Sequence, residues 1–202
     1  MHINAQSAGE LFFRVGRLKS VRQVLDALKH NKREIQAELG AFSYIDATKS
    51  HLNQCLAGPG TAEAGYRVIK DAEIAYSIAA GRAIRKDAVV AIELIFSLPA
   101  KSPHVNLQAF FKDCFEWAIK EFPDNPVISA DAHMDESSPH LHVILNCIVG
   151  NQLVGSKSIG YKQAFRCRNI RFFEEVGKKY GLQPSTLALS KADRKRLETN
   201  VM

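Results

Sequence analysis

The stretch His133-Met-Asp-Glu-Ser-Ser-Pro-His140-Leu-His142 constrains this chain more than any other feature, because it places three imidazoles and two carboxylates within ten residues. His140 and His142 are two residues apart, so on a β-strand both side chains leave the same face. The apolar run Val143-Ile144-Leu145 that follows predicts a buried strand. His133 precedes a polar break, Asp135 to Pro139, that reads as a turn returning it over the other two. Three convergent neutral imidazoles suit a divalent transition metal and leave coordination positions open, as a catalytic site requires. The competing reading is a surface loop with coincidental histidines.

The rest of the chain places that cluster. Val21 to Leu39 has apolar residues at helical spacing after a capping Ser20, with Gly40 as a stop. Ala62 to Ala80 reads as a second helix ended by Gly81, and Leu107 to Phe122 as a third with Phe110, Phe111 and Cys114 on its apolar side. Gly160 to Gly181 reads as a basic helix. Ala88 to Ser97, Val127 to Met134 and Leu141 to Val149 read as strands, and Gly150-Asn151 as a hairpin turn before a short return strand over Gln152 to Gly155. The strand–loop–strand step around the histidines indicates antiparallel pairing. The fold class is therefore α+β, an antiparallel β-sheet with packed helices.

With 202 residues, 46% of them hydrophobic, one domain with a sizeable core is expected. We read residues 1–185 as that domain and 186–202 as a basic tail. The formal net charge of +6 favours an anionic partner. Cys55, Cys114, Cys147 and Cys167 form no CxxC pair, which argues against a zinc ribbon or a disulfide framework and for reduced thiols. No apolar run spans a membrane and no signal peptide is evident, so a cytoplasmic setting is expected.

Four segments, in order, resemble the MobV (Mob/Pre) family of plasmid relaxases in the HUH endonuclease superfamily. They are His30-Asn31-Lys32-Arg33, Ser50-His51-Leu52-Asn53, Arg82-Ala83-Ile84-Arg85-Lys86-Asp87-Ala88-Val89, and the His133 to His142 stretch, matching His-x-Asp-Glu-x-x-Pro-His-x-His. The likeness runs over roughly residues 28 to 182. Where the family continues after Ser-His-Leu-Asn with tyrosine and an acidic residue, this chain has Gln54 and Cys55. Members of the family usually carry a long further C-terminal region.

The resemblance implies an HUH relaxase-like fold and a metal-dependent, strand-specific DNA nickase and strand transferase acting at an origin of transfer. It implies His133, His140 and His142 as ligands of a divalent ion, Mn2+ or Mg2+ foremost. His30 is implied as the nucleophile, forming a 5′-phosphohistidine. Glu136 is our candidate to orient His30, Arg33 to clamp a phosphate oxygen, and Asp135 to support a metal-bound histidine. Asn31, His51, Asn53, Arg82, Arg85, Lys86 and Lys162 are candidate DNA contacts or supports of the site. Lys157, Arg166 and Arg168 extend the basic patch of Lys162, although a solvated helix face would look the same. Tyr44 is the rival nucleophile, ahead of Tyr161 and Tyr180; any of the three could be a packing residue instead. Implied partners are single-stranded or hairpin DNA and other relaxosome proteins. The alternatives are an HUH replication initiator or transposase with a tyrosine nucleophile, and a non-cleaving DNA-binding accessory or repressor.

Overall fold

Five strands form one antiparallel sheet in the computed structural model, which describes residues 11–35, 44–99, 102 and 105–185. They are β1 (Phe12–Leu18), β2 (Gln54–Ala57), β3 (Ala91–Ser97), β4 (Val127–His133) and β5 (His140–Asn146), in spatial order β1-β3-β5-β4-β2. The middle strands carry the apolar runs seen in the sequence, and β5 is buried along its whole length. A two-stranded ribbon, β6 (Ile148–Val149) and β7 (Gln152–Leu153), follows through the hairpin turn at Gly150. The expected strand from 141 to 149 is thus divided. At Cys147 the backbone leaves the sheet, its N–H donating to Val90 O, while Asn146 Oδ1 accepts from the Ile148 N–H.

Helix α1 (Val21–Asn31) starts where Ser20 Oγ accepts from the Gln23 N–H at 3.2 Å. It stops well short of residue 39, because Arg33 takes a left-handed backbone with φ 60°. Helix α2 (Ala62–Ala80) keeps its expected bounds, with Thr61 as the N-cap and Gly81 left-handed at the C-terminus. Helix α3 (Leu107–Glu121) follows its expected span. A single turn, α4 (Gly155–Ile159), precedes α5 (Lys162–Glu175), and a 3-10 turn at Gly177–Tyr180 replaces the last part of the long basic helix expected there.

Helices α1 and α2 pack on one sheet face, around Val24, Leu28, Ile69, Ile128 and Ile144. The other face meets α3 and α5 through a larger core that includes Phe13, Phe96, Trp117 and Phe172. The Phe13 and Phe96 rings stack 5.0 Å apart and Trp117 lies 4.9 Å from Phe172. Such pairs contribute about 0.5–1.5 kcal/mol each beyond the area they bury. This aromatic layer is a stiff floor beneath the sheet, and the histidines rise from the opposite face.

Strands β1 and β2, the two edges, were not expected from the sequence. β1 pairs with β3 from Phe12↔Ser97 to Leu18↔Ala91. β2 pairs with β4 across a register shift between Cys55 and Ala57. Gly58 follows with φ +88°, and a Cβ there would lie 2.2 Å from Ile128 O, so only glycine lets the loop approach β4 this closely. Residues 186–202, the expected basic tail, lie outside the described residues. No described helix is long and apolar enough to cross a membrane.

Candidate metal centre

Antiparallel register brings the three histidines together. His133, the last residue of β4, is directly opposite His140, the first of β5, and His142 is opposite Asp131. The three ring centroids are 5.0, 4.9 and 4.8 Å apart. All three side chains are buried.

Each ring is held by one nitrogen. His133 Nε2 donates to Asn31 O at 2.9 Å, His140 Nδ1 to Ser138 O at 2.8 Å, and His142 Nδ1 to Glu93 Oε1 at 2.9 Å. A carbonyl or carboxylate oxygen can only accept, so the anchored nitrogen carries the hydrogen and the other carries a lone pair. Three lone pairs thereby face inward: His133 Nδ1, His140 Nε2 and His142 Nε2. The first two are 3.2 Å apart, and the third is buried without a hydrogen-bond partner. Two lone pairs at that distance repel unless a cation lies between them.

The spacing fits a metal ion. Imidazole nitrogens about 2.1 Å from a shared ion would lie roughly 3.0–3.4 Å from each other, with ring centroids roughly 4.6–5.3 Å apart, over octahedral to tetrahedral angles. The 3.2 Å between His133 Nδ1 and His140 Nε2 and the three centroid separations fall inside those ranges. Anchoring the distal nitrogen to an oxygen is also how proteins fix metal-binding histidines.

Burial keeps His133 and His140 neutral. It pushes the His133 pKa down to about 2, with the nearby His142 ring and Arg33 guanidinium adding to the effect. His140 is lowered by burial first and His142 second. A histidine with a lowered folded-state pKa stabilises the fold above its unfolded value, about 6.5. That contribution is lost as pH falls from there toward the folded value, because only the unfolded chain takes up the proton. In EDTA, the Tm is therefore expected to fall steadily from pH 7 to pH 4, and His133→Asn is expected to flatten that fall. A wild-type Tm insensitive to pH over this range would contradict buried neutral rings.

A fourth imidazole joins them. His30, near the C-terminus of α1, lies edge-on to His133 and His142 with centroids 5.8 and 5.7 Å away. Ring nitrogens of His30, His133 and His142 all come within 4.8 Å of one another, as do donor atoms of His133, Glu136 and His140. Burial lowers the His30 pKa, helped by His142 and Arg33 and opposed by Glu136 and Glu93. The ring is therefore neutral near pH 7, and a neutral ring retains a nucleophilic lone pair.

The two carboxylates of the motif divide their work differently from the sequence expectation. Asp135 is fully buried and contacts no imidazole among the described residues. It accepts from Arg33 Nη2 at 2.5 Å, Arg33 Nε at 3.1 Å, Ser50 Oγ at 2.7 Å and Asn53 Nδ2 at 2.8 Å. Although burial opposes it, hydrogen bonds from Arg33, Ser50 and Asn53 hold its carboxyl well below the usual carboxylate range. Asn53 closes the loop by accepting from the Met134 N–H at 2.7 Å. Glu136 accepts from Arg33 Nη2 at 2.8 Å and lies 4.0 Å from His140 Nε2. Arg33 is thus spent largely on protein carboxylates, and its Nη1 alone is buried without a partner. The left-handed backbone at Arg33 costs about 1–3 kcal/mol, and these ion pairs hold it in place.

Other expected site residues are spread more widely. Asn31 is buried and supplies its backbone oxygen to His133. His51 is exposed on a 3-10 turn whose neighbours Ser50 and Asn53 reach Asp135. Tyr44 is 54% exposed, just before Asp46, whose N–H donates to Asp135 O. Arg82, Arg85 and Lys86 are exposed and precede β3, at the end of the sheet remote from the histidines. Lys162 opens α5 beside Tyr161, which is 92% exposed. Tyr180 donates to Asp113 at 2.7 Å.

Arg168 corrects the proposed basic patch. It is buried, ion-paired to Glu121 and donating to Ile159 O and Ser158 O, so it holds α4 to α5 and is not presented to DNA. Lys157 pairs with Asp124 at 3.1 Å. Two contributors escaped the sequence reading. Ser50 gave no signal of its own, but Glu93 did, as the single carboxylate inside an apolar strand. His142 and, to a smaller extent, Arg14 keep Glu93 ionised against the cost of burial.

A cluster of inward-facing imidazoles, carried by neighbouring antiparallel strands and closed by a helix end, defines an α+β domain with a candidate metal site. The chain belongs to the plasmid recombination enzyme (Mob/Pre) family, whose model matches residues 8–200. A type 3 plasmid recombination enzyme from Staphylococcus aureus is 29% identical over 177 residues, 84% of this chain and 42% of that protein. A plasmid recombination enzyme from Streptococcus agalactiae is 29% identical over 121 residues, 58% of this chain and 24% of the relative. The chain thus spans less than half the length of these curated relatives. Among solved structures, the manganese-bound MobM relaxase domain in complex with a 22-nucleotide origin-of-transfer DNA of plasmid pMV158 superposes with a TM-score of 0.74 at 22% identity. The match covers 94% of this chain and 100% of that one, so the two share a fold. A second MobM relaxase domain, bound to 26 nucleotides of the same origin, gives a TM-score of 0.63 at 17% identity.

Proposed function

We propose that this chain is the catalytic domain of a metal-dependent relaxase, nicking one DNA strand at an origin of transfer and rejoining strands through a covalent histidine adduct. The observation that carries this reading is His30, a neutral imidazole from α1 set edge-on against the ligand histidines His133 and His142. Family membership and the likeness to MobM relaxase domains, which are bound to origin DNA, support it.

His133, His140 and His142 would hold the ion through their inward lone pairs. Manganese or magnesium, once bound, would neutralise the scissile phosphate and the charge developing on the leaving oxygen. His30 attacks phosphorus in line. The N–P bond forms, the P–O3′ bond breaks, the 3′ oxygen takes up a proton and the imidazolium gives one up. The products are a 5′-phosphohistidine and a 3′ hydroxyl, and strand joining is the reverse reaction. Glu136 and Glu93 favour the positive charge that His30 carries as it reacts. Glu136, Asp135 and Arg33 fix the end of α1, and a phosphate oxygen clamped by Arg33 would meet Nη1, the one guanidinium nitrogen not bonded to a protein carboxylate, once the strand displaces what buries it. Residues 1–185 form the catalytic unit in this reading. It works on plasmid or other mobile DNA in the cytoplasm, alongside other relaxosome proteins. Arg82, Arg85, Lys86, Lys162 and His51 are left to hold DNA away from the nick.

The test is adduct capture on single-stranded oligonucleotides spanning inverted repeats near the encoding gene, with Mn2+ present. A covalent, acid-labile adduct is expected with wild type and with Tyr44→Phe, and none with His30→Ala. Loss in Tyr44→Phe with retention in His30→Ala would move the chemistry to tyrosine. Binding without any nick would favour a non-cleaving accessory protein.

A further inference from the structure

We propose that the open sheet face beside the metal centre, on β1 and β3, is a rail for single-stranded DNA, with Arg14 holding a phosphate and Phe12 stacking a base. This rests on the reading above and adds how the strand is led to the histidines.

Register settles the geometry. Residues directly opposite one another across an antiparallel sheet share a face. Phe12 is opposite Ser97, Ser97 opposite His140, and His140 opposite His133. The next rung on that face is Arg14, Ile95, His142 and Asp131. Phe12 and Arg14 are therefore two strands away from His140 and His142, about 9.5 Å between backbones, and one strand further from His133. An arginine side chain spans most of that gap, enough to meet a phosphate one or two steps along the strand from the nick.

The two residues are unusual for an edge strand. Phe13 and Val15 turn into the aromatic core beneath, whereas Phe12, on the histidine face, is 41% exposed. Beyond Leu11, whose N–H donates to Gln183 O, β1 is the outer strand of the described sheet, and an exposed aromatic on such a strand invites aggregation unless something covers it. Arg14 is exposed and has no hydrogen bond or ion pair among the described residues. It lies two residues from Gly16 on the same face, and Gly16 is directly opposite Glu93, the partner of His142. Ile95 and Ser97 between them are only half-buried, whereas the same rungs on β5 are buried. An unpaired cation next to an exposed ring on a shallow floor matches the two demands of a single strand: phosphate charge and flat bases. A peptide strand added to β1 is the other occupant of such an edge, and it would not depend on the aromatic ring or on salt in the same way.

The experiment is binding of fluorescein-labelled dT20 to the whole chain in EDTA, followed by polarisation over a range of salt. Thymidine suffices because stacking tolerates any base. Phe12→Leu keeps an apolar residue of similar bulk and is expected to weaken binding about fivefold or more, with Phe12→Trp restoring it. Arg14→Gln is expected to lower the slope of log K against log salt by about 0.7, the release expected for one phosphate of a single strand, and Arg14→Lys to keep it. Wild-type binding left unchanged in both Phe12→Leu and Arg14→Gln overturns the rail, and so does a chain that does not bind dT20. The adduct assay on the same variants separates the two readings. An adduct with no effect of Phe12 or Arg14 on binding removes the rail and keeps the nuclease. Binding that depends on both residues, with no adduct, does the reverse.

Discussion

His142→Ala is expected to weaken Mn2+ binding more than a hundredfold, and Glu93→Gln to weaken it by about ten- to a hundredfold. Calorimetric titration of the metal-free protein measures both. The order of the effects carries the argument. His142 offers the one inward nitrogen that is buried without any partner, so removing it deletes a ligand outright. Glutamine at 93 can still accept from His142 Nδ1, so the ring stays in place. It loses the carboxylate charge that makes the opposite nitrogen a stronger donor. If the histidines were a satisfied polar cluster with no ion, Glu93→Gln would alter stability and leave weak, unchanged metal binding. A Glu93→Gln affinity equal to wild type would show that the Glu93–His142 contact, 2.9 Å long, does not tune the site.

The parts of this site that were readable in the sequence are those held by local spacing. His140 and His142 needed only a strand, and His133 only the turn before it. Helix α2 was bounded correctly because Thr61 and Gly81 mark its ends by their own backbone chemistry. What escaped depends on partners far along the chain. β1 carries two arginines and a glycine and becomes a strand because β3 offers a free edge. Glu93 meets a histidine 49 residues later. The roles of Ser50, Asn53 and Arg33 exist only because Asp135 lies among them, at separations of 82 to 102 residues. Arg168 was misread for the opposite reason. Its charge was visible in the sequence, but the carbonyls and the carboxylate that bury it were not.

That Asp135 junction supports the last expectation. Asp135→Ala should cost about 3–5 kcal/mol of stability, the usual result of removing one member of a buried ion pair. Three kinds of donor lose their acceptor at once: the Arg33 guanidinium, the Ser50 hydroxyl and the Asn53 amide. Arg33 keeps Glu136, but a second nitrogen joins Nη1 without a partner inside the protein. The damage should spread to His30, since Arg33 carries the left-handed turn that ends α1 three residues after it. Urea denaturation measures the first effect and adduct yield the second. Asp135→Leu combined with Arg33→Met separates the causes, because it removes the orphaned charge together with its partner. The double variant is expected to regain much of the stability and none of the adduct yield, because the turn that positions His30 stays unpinned. If it regained both, the junction would serve folding alone. If Asp135→Ala left the urea midpoint unchanged, the buried network would not be what holds the two halves of the site together.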